Sequence, residues 1–212
     1  MNETSPQPSS GVARKNRIVL LILLASFVIP FVVGDLAYRL GWYQGGQTNK
    51  GQLIDPPVSF AELHAADAVG KPAAADFAAK HWWLLYVVPS DCDVACRNRL
   101  FQMRQVRKAL GREEDRVRQV LVFTSAPSSE LEALLEAEFK DFVRITARAP
   151  AVDSALQRLL PDASGAGQLY IMDPLGWIML AYPPEADEKA SVVKAEDVLQ
   201  DLKKLLKASR IG

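Results

Sequence analysis

Histidine and cysteine are scarce in this chain: two of each stand among 212 residues. Chemistry that needs an imidazole base therefore has few places to reside. A Ser-His-Asp hydrolase requires a positioned histidine, and neither His64 nor His81 has a motif around it. A Gly-rich phosphate loop is missing as well, which removes the nucleotide-binding fingerprints. No charge of either sign predominates, since Lys plus Arg and Asp plus Glu number 25 each. Nucleic-acid binding needs a basic face, so nucleic acid is not an expected partner. There is no internal repeat and no long block of like charge.

Apolar residues are plentiful, at 49%, and unevenly spread. The run IVLLILLASFVIPFVV, Ile18 to Val33, contains no charge. As a helix it is about 24 Å long, short of a hydrocarbon core of about 30 Å. Leu36, Ala37, Tyr38 and Leu40 extend it, Trp42 and Tyr43 stand where interfacial aromatics would anchor it, and Pro30 is tolerable within a membrane helix. Arg14, Lys15 and Arg17 precede the run, whereas only Asp35 and Arg39 follow closely. The positive-inside rule then puts the N-terminus in the cytoplasm and the remainder across the membrane. A cleaved signal peptide would need a small-x-small site, which GDLAYRL does not offer. In a bacterium the exported part lies in the periplasm, which is kept oxidising. The expected segments are a cytoplasmic tail at 1–16, a transmembrane anchor at 17–40, a linker at 41–58 and an exported domain at 59–212.

Within that domain, residues 59–80 are Ala-rich and ambiguous. HWWLLYVV, from His81, is a continuous apolar run bounded by Pro89, the sign of a strand buried on both faces. DVACRNRLFQMRQVRKALG follows, with Leu100, Met103, Val106 and Leu110 at helical spacing and Gly111 as stop. VRQVLVFTS reads as strand, SSELEALLEAEF as a capped helix, FVRIT as a short strand and AVDSALQRLLP as a short helix closed by Pro161. QLYIMDPLGWIMLAY is a hairpin about Asp173-Pro174-Leu175-Gly176. VVKAEDVLQDLKKLLKA is an amphipathic helix. Strand-helix-strand units imply parallel pairing, and the hairpin adds antiparallel strands. The fold class is therefore α/β, a mixed sheet with helices on both faces.

Cys92 and Cys96 lie between the first buried strand and its helix. Unpaired N–H groups at a helix N-terminus stabilise a thiolate. Arg97 and Arg99 can help, while Asp91 and Asp93 work against it. Four-residue spacing puts both sulfurs on one side of a turn. They can close a disulfide or clamp a soft ion such as Cu(I). A purely structural disulfide is the bland alternative, but closing so short a loop contributes only about 2 kcal/mol.

LLYVVPSDCDVACRNRL resembles the strand and copper-binding motif of the Sco/SenC family within the thioredoxin superfamily. That family separates its cysteines by three residues, where thioredoxins proper use two. LYIMDPLGWIML is similar to the family's later hairpin, and the resemblance covers roughly residues 55 to 210. It implies a thioredoxin-like mixed sheet preceded by one N-terminal transmembrane helix, and a role in cytochrome c oxidase assembly. Family members deliver copper to the oxidase's CuA centre or reduce the cysteines that receive it. Only Cys92 and Cys96 map onto the family's ligands, which makes Cu(I) the implied metal. Respiratory oxidase subunits or copper-handling proteins are the implied partners.

The chain also departs from the pattern. Asp93 and Arg97 replace the prolines that usually follow each cysteine. PDASGAGQLYIMDP contains no counterpart of the family's histidine ligand. Gly165, Ala166, Gly167 and Gln168 stand where thioredoxins have a cis-proline. His81 begins the first strand, whose seven residues span about 23 Å, so it belongs at the end remote from the cysteines. His64 cannot be placed. Met103, Met172, Met179, Trp82 and Trp83 read as core. The expected function is Sco-like assembly through thiol–disulfide exchange or Cu(I) handling at Cys92 and Cys96. The alternatives are a non-catalytic tethered interaction module with a structural disulfide, and a general thiol–disulfide oxidoreductase.

Overall fold

A computed structural model describes residues 10–42, 48–67, 70–73, 77, 80–156, 166–185 and 188–209. The expected tail up to residue 9, the interfacial Tyr43, linker residues 44–47 and the helix stop at Pro161 lie outside these. The chain divides into two compact units, Met1–Gln47 and Thr48–Gly212.

The first unit is helix α1, Ser10–Arg39. Its stretch Arg14–Arg39 is long and apolar enough to cross a membrane, at about 39 Å. Pro30 lies inside it without ending it. The large side chains from Ile18 to Val33 are exposed all round, the pattern of a helix whose solvent is lipid.

The second unit holds six strands in one sheet, ordered β1-β6-β5-β2-β3-β4. These are β1 Gln52–Ser59, β2 Trp82–Val88, β3 Val117–Phe123, β4 Val143–Thr146, β5 Leu169–Met172 and β6 Trp177–Tyr182. β2 pairs with β3 in parallel and with β5 antiparallel, and β3 pairs with β4 in parallel. The central place of β2 explains its unbroken apolar sequence: all seven residues are buried. Even-numbered side chains (Trp82, Leu84, Tyr86, Val88) enter one core layer, and odd-numbered ones (Trp83, Leu85, Val87) the other. The first layer is closed by helices α2 (Val94–Ala109), α3 (Ser129–Glu138) and α5 (Glu188–Ala208). The second is closed by α4 (Ala149–Leu156) and a 3-10 turn at Phe60–Leu63. The expected mixed sheet with helices on both faces is thus the observed one.

The linker expected through residue 58 is corrected. Gln52–Ser59 is an outer strand, antiparallel to β6. Its ladder pairs Leu53 with Leu180 and resumes only at Val58 with Ile178. Pro56 and Pro57 occupy the interval. Prolines lack the ladder N–H and are confined to edges and bulges, which is where these fall. The ambiguous lead-in is resolved in part. Ser59 and Glu62 form a reciprocal capping box, the S-x-x-E signature of a helix start.

Candidate functional site

The sheet delivers the cysteines to the C-terminal end of its central strand. β2 ends at Val88, Pro89 and Ser90 turn the chain, and α2 begins at Val94. Asp93 caps the helix: its Oδ1 accepts the Cys96 N–H at 3.0 Å. Cys92 precedes the cap and Cys96 lies in the first turn. Their Cα atoms are 5.0 Å apart and the sulfurs are bonded as a disulfide, an ordinary separation for such a bridge. Cys96 is buried beneath the turn, whereas Cys92 is only partly buried and packs against the first core layer.

A cleft of about 540 Å³ opens beside the bridge. Asp91, Asp93, Cys96, Pro184 and Glu185 line it, together with Tyr86 and Gly167. Gly167 falls within the stretch 165–168 that the family resemblance sets against the thioredoxin cis-proline. Its N–H donates to the Val87 carbonyl at 2.8 Å, and the Val87 N–H returns a bond to Gln168 at 3.3 Å. Gly167 has φ +80°, a left-handed backbone that only glycine adopts without strain.

Arg97 and Arg99, two neighbouring cations in the sequence, separate sharply. The Arg97 side chain is 53% exposed and faces Glu130 at 4.0 Å. Arg99 is 3% exposed and lines the cleft. Its guanidinium donates to Gln102 Oε1 at 2.5 Å, to the Pro183 carbonyl, and to Glu185 Oε1 at 3.5 Å. Gln102 passes the connection on, donating to the Ser191 carbonyl at 2.6 Å. Burial pushes Arg99 below its ordinary pKa, against the opposing pull of Glu185. Burial also raises Glu185, which Arg99 partly offsets. Tyr86 is held well above its ordinary range by burial, with Arg99 lowering it and Asp93 raising it. This buried polar network escaped the sequence reading. Its one signal is an arginine adjoining the apolar stripe Cys96-Leu100-Met103 of α2.

The other candidates fall elsewhere. His81 precedes β2, at the opposite end of that strand from the cysteines, and packs edge-on to Trp83. His64 is exposed and terminates the 3-10 turn that covers the other face of the sheet. Met103 and Met172 are fully buried and Met179 packs against the first layer. Trp82 and Trp83 are buried on opposite faces. Among the described residues no group of three His, Cys, Asp or Glu is placed to hold a metal ion. Two sulfurs alone do not make the three-ligand copper site that the Sco/SenC resemblance implies.

Residues 82–209 match the family described as transmembrane-like, thioredoxin-like, C-terminal domain. No curated protein matches the chain. Among solved structures, yeast Sco1 with copper bound is similar at 17% identity and TM-score 0.51, covering 76% of this chain and 99% of that one. Apo Sco1 from Thermus thermophilus is similar at 19% identity and TM-score 0.53, again covering 76% and 99%. At such identities these likenesses speak for the thioredoxin-like fold.

Proposed function

The chain belongs to the family of transmembrane-like, thioredoxin-like C-terminal domains, and from that premise we propose that it is a membrane-tethered, Sco-like assembly factor for a respiratory cytochrome oxidase. It acts by thiol–disulfide exchange at Cys92 and Cys96, in the bacterial inner membrane, with its C-terminal domain in the periplasm. The observation that carries this reading is the bridge itself, seated where a buried strand meets a helix N-terminus, with Cys92 partly exposed and Cys96 lining a cleft. The oxidase setting follows from the motif resemblance and from the fold shared with Sco1 proteins.

The difference in burial supports a division of roles. The reduced Cys92, the less buried of the two, is the attacking thiolate. Cys96, beneath the turn, resolves the mixed disulfide. Attack by Cys92 on a partner disulfide forms one S–S bond and releases one partner thiolate. Attack by Cys96 then forms the bridge seen here and releases the second. Two electrons pass from this protein to its partner, and a protein dithiol must restore the reduced form. Copper as cargo would have the two thiolates as ligands, and among the described residues no further His, Cys, Asp or Glu completes a group of three with them.

Two experiments test this. In an oxidase-deficient deletion strain, the Cys92→Ser, Cys96→Ser double variant should fail to restore oxidase activity. Complementation by it would favour the non-catalytic interaction module, which the missing histidine ligand also supports. Reduced full-length protein in detergent, titrated anaerobically with Cu(I) against a calibrated chelator, should not compete. Stoichiometric tight binding that the double variant loses would make copper delivery the activity instead.

A further inference from the structure

The charge around the bridge is lopsided, although the chain as a whole is neutral. Asp91 and Asp93 bracket Cys92, both exposed and both lining the cleft. Glu185 adds a third carboxylate, and among the described residues Arg99 is the one cation lining the cleft. Arg99 is committed elsewhere: buried, it faces Glu185 at 3.5 Å and bonds Gln102 and the Pro183 carbonyl. Among the described surface cations, Arg97 pairs with Glu130 on α3 at 4.0 Å, and Lys194, 3.2 Å from Asp197, also acts on Glu185. Glu185 is therefore balanced by Arg99 and Lys194, and the excess negative charge rests with Asp91 and Asp93. Asp93 cannot swing aside without giving up the cap it makes to the Cys96 N–H.

We propose that Asp91 and Asp93 are specificity-determining residues, selecting partners whose reacting sulfur lies in a cationic surface. This rests on the exchange reading above. An incoming disulfide must bring its sulfur to Cys92, whose two chain neighbours are these exposed carboxylates. Complementary charge raises the rate of encounter, and like charge suppresses it. An acidic partner, or a small anionic disulfide such as oxidised glutathione, is rejected at the same step. The acidic flanks also carry a cost, because negative charge next to a thiolate opposes its formation. Selection of partner is the return for that cost.

The test uses the full chain, reduced, in detergent micelles, and three small disulfides: cystamine (cationic), hydroxyethyl disulfide (neutral) and oxidised glutathione (anionic). Each second-order rate is divided by that of a free uncharged dithiol with the same probe. At low ionic strength the normalised rate for cystamine should exceed that for oxidised glutathione by about tenfold or more. The ratio should shrink toward unity as added salt shortens the screening length. Asp91→Asn should cut it severalfold, and adding Asp93→Asn, which preserves a cap acceptor, should largely abolish it. A ratio that ignores salt and survives the double variant would overturn the selectivity while leaving exchange intact. Inertness of the wild-type protein toward all three probes would overturn both.

Discussion

At the scale of single residues, Asp201 shows how one carboxylate can hold a chain segment. It sits on α5 and is 2% exposed. Its Oδ2 accepts the Lys50 N–H at 2.7 Å, the Gly51 N–H at 2.8 Å and the Tyr182 hydroxyl at 2.8 Å. Gly51 comes so close to the Tyr182 ring that an added Cβ would lie 2.5 Å from it. The start of the folded unit is therefore fastened to its last helix and last strand together. Asp201→Ala leaves two backbone donors and a hydroxyl without their acceptor, and should destabilise the protein by roughly 3 kcal/mol. Asp201→Asn retains an acceptor oxygen and should cost less. Urea denaturation of the full chain in mild detergent measures both, and equal losses would contradict the acceptor argument. None of this was legible in the sequence, because the two backbone donors lie about 150 positions from Asp201 and Tyr182 lies on another element.

The elements were more legible, for identifiable reasons. β2 announced itself because a strand buried on both faces has no polar positions. The hairpin announced itself because Asp173 Oδ1 accepts from Leu175 and Trp177 and Gly176 takes φ +86°, demands that Asp and Gly meet. Gly111, expected as the stop of α2, has φ +58°. β1 was missed because an edge strand needs few ladder bonds, and two prolines in it look like linker. The Cys92–Cys96 pair was legible as a pair, but its cleft was not, since Pro184, Glu185 and Gly167 arrive from distant loops.

Two predictions belong to α2. The bridge closes a loop of four positions, so reduction should cost about 2 kcal/mol. The reduced protein should stay folded, with a thermal midpoint lower by roughly 4–8 °C. Circular dichroism with and without reductant reads this, and loss of the fold on reduction would mark the bridge as a structural staple. The second concerns the tie between α2 and the loop before α5. Glu185→Ala strands a guanidinium whose side chain is 3% exposed, and should destabilise by about 3 kcal/mol. Combining Arg99→Met with Glu185→Gln removes both charges and should recover most of that loss. A double variant as unstable as Glu185→Ala alone would show that Gln102 and the Pro183 carbonyl, left without their donor, cost as much as the unpaired guanidinium.

For the whole molecule, the anchor and the bridge make one argument. A disulfide pair is durable in an oxidising compartment and short-lived in a reducing one, so the orientation of α1 decides the state in which Cys92 and Cys96 are found. Arg14, Lys15 and Arg17 on its N-terminal side favour an exported domain. A phosphatase that is active only outside the cytoplasm should therefore be active when fused after Gly212, and alkylation of intact cells should find the cysteines shielded until reductant is added. Changing the three basic residues to Gln, together with Gln44→Lys and Gln47→Lys, reverses the bias. The fusion should then fall silent, and both cysteines should take up label without reductant. If the reversed chain lost phosphatase activity yet kept its cysteines shielded, the bridge would be stable against cytoplasmic reductants. A pair so resistant would not be returned to the reduced form by an ordinary dithiol, so the exchange cycle would stall and the interaction-module reading would be favoured.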